Sequence, residues 1–183
     1  MMNSTSDQQL VRSCLQGEVK EYQKIVEKYR AKAMAIAMNI LGNREDAEDA
    51  SQETFIQVYQ NLERYDFKLS FSNWLYSILY KRCLDRLRKR KRFYNFYQKL
   101  KKEPSQSFSI QPSNPSAFTV IREKVLGHLN PKERITLFLW ADEGYTSEEI
   151  ASVLKCSPST ARVYLFMARK KIKALVEKEN VSL

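Results

Sequence analysis

Three carboxylates with helical spacing could coordinate a divalent cation or form an acidic contact surface. Asp46, Asp49 and Glu53 follow the spacing i, i+3 and i+7, which places them on one side of a helix. Carboxylates on adjacent turns can share Mg²⁺ and support phosphoryl transfer. No second carboxylate cluster or candidate base accompanies them, and the single histidine, His128, lies far along the chain. A favourable helix dipole alone does not explain the group, because the dipole acts mainly within the first turn.

Basic side chains are concentrated in one short stretch that also carries aromatic residues. Residues 81–102 hold 11 basic side chains and one acidic one, a net charge of +10, which equals the formal net charge of the whole chain. The aromatic residues in or before this stretch are Trp74, Tyr76, Tyr80, Phe93 and Tyr94. Basic groups neutralise phosphates and aromatic faces stack on unpaired bases, so the stretch predicts binding of single-stranded or melted nucleic acid. The alternative is a solvated basic face.

Helices must position these residues. With 4 glycines and 5 prolines in 183 residues, the composition favours long helices over turn-rich β structure. Apolar residues at steps of three and four predict a helix from about residue 8 to 42, with a possible break at Gly17. Asn43 can cap a second helix that runs to about Leu62. A third helix carries Trp74, Leu75, Ile78 and Leu79 and continues into the basic stretch.

A second helical unit begins after a Ser-, Pro- and Gln-rich segment. Asn130 and Glu133, and then Thr146 and Glu149, have the spacing of capping boxes. Residues 155–157 form a short turn between two helices, which is the pattern of a helix-turn-helix. The sequence therefore predicts an all-α protein of two small helical domains, residues 1–94 and 118–183, joined by a flexible linker at 95–117. The composition of this linker is equally compatible with a flexible tether that has no binding role.

Other features exclude several classes of protein. Three widely separated cysteines do not form a disulfide framework, and no glycine-rich phosphate loop can be written. We therefore expect no metal, no cofactor and no disulfide. The N-terminal residues lack a signal-peptide pattern, and the longest apolar stretch is too short to span a bilayer. These patterns predict a cytoplasmic protein without membrane insertion.

Several motifs resemble bacterial RNA polymerase sigma factors of the extracytoplasmic-function type, also called ECF or group IV. Residues 46–55 (DAEDASQETF), 71–78 (FSNWLYSI) and 85–90 (DRLRKR) are similar to sigma region 2. Residues 129–134 (LNPKER), 144–151 (GYTSEEIA) and 168–172 (ARKKI) are similar to region 4. The resemblance implies a non-enzymatic protein that binds core RNA polymerase, recognises two promoter elements and helps to melt the DNA.

The resemblance also implies the partners. The acidic helix is expected to bind the clamp coiled coil of the β′ subunit, with the contact candidates Asp46, Asp49, Gln52, Glu53 and Phe55. Region 4 is expected to meet the β flap, and members of this group are usually held inactive by an anti-sigma factor. Promoter DNA is the remaining partner.

Two sets of residues are implied to bind the promoter. The minus-ten candidates are a base-capturing loop and the helix after it: Asp66, Phe67, Lys68, Leu69, Ser70, Phe71, Ser72, Asn73, Lys81, Arg82, Arg86, Arg88 and Lys89. The minus-thirty-five candidates lie around the second helix of the helix-turn-helix: Ser157, Ser159, Thr160, Arg162, Val163, Phe166, Arg169, Lys170 and Lys173. Trp74 has the spacing of a core residue, although its ring could also stack on a base.

Two positions depart from the family pattern. Lys81 stands where asparagine is common, and it can donate hydrogen bonds but not accept them. Lys155 stands in the turn where glycine is usual, so a left-handed conformation there would cost about 1 kcal/mol more than with glycine.

One alternative is a stand-alone helix-turn-helix regulator that binds a two-fold operator as a dimer. It accounts for the second unit only and gives the acidic and basic helices of the first unit no role.

Overall fold

The computed structural model describes residues 6–100 and 126–180. The first unit contains α1 (Asp7–Leu15), α2 (Lys20–Leu41), α3 (Arg44–Gln60), a 3₁₀ turn (Leu62–Arg64) and α4 (Phe71–Leu100). The second unit contains α5 (Pro131–Ala141), α6 (Ser147–Leu154) and α7 (Pro158–Asn180). No β-strand occurs within the described ranges. The predicted all-α fold class is confirmed.

The helix ends in the first unit occur where the local sequence predicts them. Gly17, at φ 102°, separates α1 from α2, and Gly42, at φ 68°, ends α2 in the left-handed conformation. The Asn43 side chain then accepts a 2.8 Å hydrogen bond from the backbone N–H of Asp46 and caps α3. The predicted break at Gly17 is therefore confirmed.

The second unit has the predicted caps. Asn130 with Glu133, and Thr146 with Glu149, form capping boxes that satisfy backbone N–H groups at the starts of α5 and α6. Lys155 ends α6 in the left-handed conformation, with φ 51°. Helices α6 and α7 therefore form the helix-turn-helix.

Helix α4 is longer than predicted. It runs to Leu100, whereas the sequence pattern places the end of the first domain at residue 94. Residues 88–97 of this helix are exposed, so its buried stripe ends earlier, and no proline or glycine interrupts residues 95–100. The remainder of the predicted linker, from residue 101, lies outside the described residues.

The two units touch each other. The hydroxyl of Tyr145 donates a 3.0 Å hydrogen bond to Ser72 Oγ, and Lys32 forms an ion pair with Glu143. Arg134 donates a 3.2 Å hydrogen bond to the backbone carbonyl of Ile40. Buried apolar residues of both units form one continuous cluster. In the described part of the chain, no helix has the length and apolar character needed to cross a bilayer.

Candidate polymerase and promoter interfaces

Helix α3 has a buried side and an exposed acidic side. Ala47, Ala50, Thr54 and Val58 point into the core, which fixes the rotation of the helix. The opposite side presents Asp46, Asp49, Gln52 and Glu53, which we call the acidic face. Asp49 and Glu53 are 56% and 48% exposed.

Arg86 of α4 lies against the acidic face. Its guanidinium is 2.7 Å from Glu53, 3.3 Å from Asp49 and 3.5 Å from Asp46. The three carboxylates are therefore paired with an arginine side chain of the same protein. Within residues 6–100 and 126–180, no group of three His, Cys, Asp or Glu residues is arranged to hold a metal ion. The magnesium-site interpretation has no support in this geometry.

The structure changes the apolar member of the predicted polymerase-contact set. Phe55 is only 8% exposed, so its ring belongs to the core and not to the acidic face. Its neighbour Ile56 is 58% exposed and follows Gln52 and Glu53 by four and three residues. Sequence reasoning missed Ile56 because it and Phe55 both lie at the edge of the apolar stripe.

The loop before α4 is held in shape by several hydrogen bonds. Asp66 Oδ1 accepts from the backbone N–H of Lys68 at 2.9 Å, and the Tyr65 hydroxyl donates to the Leu69 carbonyl at 2.5 Å. Gln8 of α1 donates to the Phe67 carbonyl at 2.8 Å. Neither Tyr65 nor Gln8 was among the predicted site residues. These hydrogen bonds therefore fix the backbone of the loop, whose exposed residues are Asp66, Lys68, Leu69 and Ser70.

Four predicted minus-ten residues are buried or make contacts within the protein. Phe71 and Asn73 are buried. Arg86 pairs with the acidic face, and Arg82 donates a 2.7 Å hydrogen bond to Gln57. The two arginine side chains contact α3 because α4 packs along it, and spacing along one helix does not reveal such a contact.

The other members of the minus-ten set keep accessible surface. Lys81, Arg88 and Lys89 are exposed on α4, and Phe67 and Ser72 are half-buried. Trp74 packs at ring-centroid distances of 5.3 Å from Tyr65 and 5.8 Å from Phe71. This packing supports the core role for Trp74.

Helix α7 presents the predicted minus-thirty-five residues on its outer side. Ala161 and Ala168 are buried, whereas Arg162, Val163 and Phe166 are exposed. Exposed Ser159, Lys170 and Lys173 accompany them. Ser157 and Thr160 form the cap of α7, with 2.8 Å between their hydroxyl oxygens.

Two charged residues of the second unit have structural contacts that the sequence does not show. Arg169 lies 5.3 Å from the ring centroid of Trp140 on α5, a cation–π contact. Lys171 pairs at 2.7 Å with Glu133, which is almost fully buried. Both contacts fasten α7 to α5. In the sequence, only the capping-box position singled out Glu133, which also forms this ion pair with Lys171.

Comparisons with known families match both units. The family model described as Sigma-70 region 2 matches residues 25–93, and the model described as Sigma-70, region 4 matches residues 123–172. The RNA polymerase sigma-H factor of Pseudomonas aeruginosa is 29% identical over 94% of each chain. The ECF RNA polymerase sigma factor SigW of Bacillus subtilis is 36% identical, but over 44% of this chain and 43% of SigW.

Solved structures share the fold. CnrH in complex with the cytosolic domain of CnrY superposes with a TM-score of 0.69 at 21% identity, covering 92% of this chain and 96% of that one. The sigma factor RpoE in complex with the anti-sigma factor NepR from Bartonella quintana gives 0.71 at 20%, covering 86% and 98%. With both sigma regions present in order, the chain belongs to the extracytoplasmic-function sigma factors of bacterial RNA polymerase.

Proposed function

We propose that this protein directs core RNA polymerase to a set of promoters through three separate surfaces. The acidic face of α3 binds the β′ clamp coiled coil, the loop before α4 with the outer side of α4 engages the minus-ten element, and α7 reads the minus-thirty-five element. The observation that supports this most strongly is that one chain combines an exposed acidic helix face with a capped, exposed recognition helix. A stand-alone regulator needs only the second of these.

The polymerase contact is a mixed surface. Asp49, Gln52 and Glu53 supply charge and hydrogen bonding, and exposed Ile56 supplies an apolar anchor next to them. Interfaces usually depend on a few such anchors surrounded by polar groups. Ile56→Ala should therefore weaken core binding by about tenfold. Val176→Ala removes an exposed apolar side chain from α7 and is the matched control.

The charge contribution is best tested by neutral variants. Charge reversal at Asp49 and Glu53 would place two further cations beside Arg86 and would disturb folding as well as binding. Asp49→Asn with Glu53→Gln keeps side-chain size and should lower core affinity most strongly at low salt. Glu27→Gln with Glu63→Gln neutralises two exposed carboxylates elsewhere and should leave core affinity unchanged.

The minus-ten surface selects a base after melting. A flipped base is read by its Watson–Crick edge in a shaped pocket, and the braced loop offers exposed Asp66, Lys68, Leu69 and Ser70 for that contact. Exchanging these residues for those of a relative should shift the minus-ten preference and leave the minus-thirty-five preference intact. Lys81→Asn restores an acceptor near the melted bases and should alter the preference there.

The remaining roles follow from family membership. Sigma factors are not a catalytic family, and we propose that this chain has no enzymatic activity of its own and works in the cytoplasm with polymerase. RpoE of Bartonella quintana forms a complex with the anti-sigma factor NepR. We propose that an anti-sigma factor likewise regulates this chain.

Run-off transcription with purified core polymerase on a genomic library tests the function as a whole. The wild-type protein should yield discrete start sites that share two spaced elements, and the polymerase alone should not. Ile56→Ala should lower the yield at every start site without changing the elements. Transcription that is indifferent to the protein, or operator binding as a dimer without polymerase, would refute the sigma-factor function for this chain.

A further inference from the structure

Helix α1 contacts the loop before α4 at two points. The side chain of Gln8 donates a 2.8 Å hydrogen bond to the backbone carbonyl of Phe67. One helical turn further along, the guanidinium of Arg12 lies 4.9 Å from the centroid of the Phe67 ring, a cation–π contact. Gln8 and Arg12 follow the spacing i, i+4, so they share one side of α1. This side of the helix holds both the backbone and the ring of Phe67.

Phe67 lies inside the segment 66–70, whose other four residues are exposed. Its ring is half-buried and packs on Tyr65 at a centroid distance of 5.1 Å. Within the part of the chain that the structure describes, no hydrogen bond other than that of Gln8 joins 66–70 to a residue outside 65–74. The position of the exposed loop side chains therefore depends on how α1 holds Phe67.

Helix α1 is itself fixed to the first unit. Leu10 and Val11 are buried in the core. The carboxylate of Asp7 accepts hydrogen bonds of 2.6 Å from Lys28 Nζ and 2.7 Å from the Tyr29 hydroxyl, both on α2. Binding sites keep their geometry only when the groups behind them are held by packing and hydrogen bonds. An anchored α1 meets that requirement for the loop.

The two contacts indicate a positioning role and not a direct role in DNA binding. A cation that only neutralises phosphates strengthens binding to every sequence alike. The amide of Gln8 is uncharged and is directed at the loop backbone, and Arg12 covers the ring of the same residue, Phe67. The Sigma-70 region 2 match begins at residue 25, so both side chains lie before it.

We propose that Gln8 and Arg12 are positioning residues for the selection of the minus-ten base. By holding Phe67 they fix the place of the exposed loop side chains that read the flipped base, and they do not touch that base themselves. The inference rests on the proposed function of the loop. It adds α1, a helix distant from the loop in sequence, to the residues that set minus-ten specificity.

Native-state hydrogen exchange of the free full-length protein measures the positioning directly. The amide of Leu69 is hydrogen-bonded within the loop at 2.9 Å, so its exchange rate reports how often the loop opens. Gln8→Glu with Arg12→Met removes the donor and the cation from α1 and should speed this exchange by about threefold to tenfold. Gln16→Glu with Lys20→Met makes the same changes in charge at exposed positions that do not contact the loop, and the rate should stay unchanged.

Randomised-promoter selection with the holoenzyme measures the effect on specificity. Gln8→Glu with Arg12→Met should lower the preference for the selected minus-ten base by about threefold to tenfold. The minus-thirty-five preference and the affinity for core polymerase should not change, which a general loss of folding would not produce. Arg12→Lys keeps a cation over the ring and should retain most of the preference.

Wild-type exchange of Leu69 in the double variant, or equal effects of the control variant, would overturn the inference. Lower selectivity without faster exchange would also overturn it, because Arg12 would then contact DNA itself. The exchange of Asp66, Lys68, Leu69 and Ser70 for the residues of a relative is measured in parallel. An unchanged minus-ten preference there refutes the proposed function of the loop. A shift there, with wild-type selectivity in the double variant, refutes only the role of α1.

Discussion

The guanidinium of Arg86 donates a 2.7 Å hydrogen bond to Glu53, which places a residue of the basic helix on the face assigned to polymerase. Arg86 is only 21% exposed and also contacts Asp49 and Asp46. It therefore acts as a positioning residue for the acidic face. The resemblance to sigma region 2 implied that this arginine binds the minus-ten DNA, and the two roles have different consequences on mutation.

Arg86→Met should destabilise the protein by about 1–2 kcal/mol, because Asp49 and Glu53 lose their cation and Asp46 keeps only Arg90, at 3.7 Å. Urea unfolding at low and high salt measures this, and the loss should shrink at high salt as the carboxylates are screened. Lys89→Met, at an exposed position without a partner among the described residues, is the control. A variant with normal stability and weaker DNA binding would instead support the minus-ten contact.

Tyr145→Phe tests one of the hydrogen bonds between the two units, the one to Ser72. Removing the hydroxyl takes away the donor to Ser72 and should cost roughly 0.5–1.5 kcal/mol of the contact. A double-mutant cycle with Ser72→Ala should give a coupling energy of similar sign and size in thermal or urea unfolding. Tyr164→Phe, which loses a 3.0 Å contact to Lys132 inside the second unit, should show no coupling to Ser72.

Lys155→Gly should stabilise the second unit. Lys155 has φ 51°, a conformation that favours glycine, and the substitution should add up to about 1 kcal/mol. Lys173→Gly, in the exposed interior of α7, should instead cost about 1 kcal/mol. The midpoints of urea unfolding compare the two. Equal destabilisation by both variants would show that the left-handed cap stores no strain.

Arg162→Ala should relax sequence preference at one or two positions of the minus-thirty-five element. An exposed arginine near the start of α7 can contact guanine with two hydrogen bonds, worth about 1–3 kcal/mol of discrimination. Lys170→Ala should weaken all sequences alike and lower the salt dependence. Randomised-promoter selection separates the two patterns. A uniform loss with Arg162→Ala would assign it to the phosphates.

Cys83 should make stability fall at alkaline pH. Burial raises its pKa from the ordinary value of 9.0 to about 12. Above pH 9 the unfolded chain loses the thiol proton while the folded chain keeps it, so the free energy of unfolding decreases as pH rises toward 12. Cys83→Ala should flatten this slope by up to about 1.4 kcal/mol per pH unit. A slope identical to that of the wild type would contradict the burial effect.

Local features of the fold were predictable because they depend on neighbouring residues. The caps at Asn43, Asn130 and Thr146 each use a side chain within three residues of the N–H groups it satisfies. The break at Gly17 and the turn at Lys155 are likewise set by single backbone positions. Such local features can be predicted directly from the sequence pattern.

Features that depend on how helices pack were not predictable in the same way. The pairing of Arg86 with Glu53 joins residues 33 positions apart. Whether Phe55 or Ile56 faces the core depends on the rotation of α3 against α4, and the two adjacent apolar residues leave that rotation open. The sequence pattern placed the end of α4 too early, because the aromatic residues near this end are exposed and do not continue the buried stripe.

The contact between the two units has a consequence for the affinity of every partner that needs them apart. Such a partner binds only the fraction of molecules in which Tyr145 has left Ser72, so its apparent dissociation constant rises in inverse proportion to that fraction. Substitutions at Tyr145, or at the Lys32–Glu143 ion pair, would then change the concentration of the partner that is needed for binding. The surfaces that the partner contacts would stay intact.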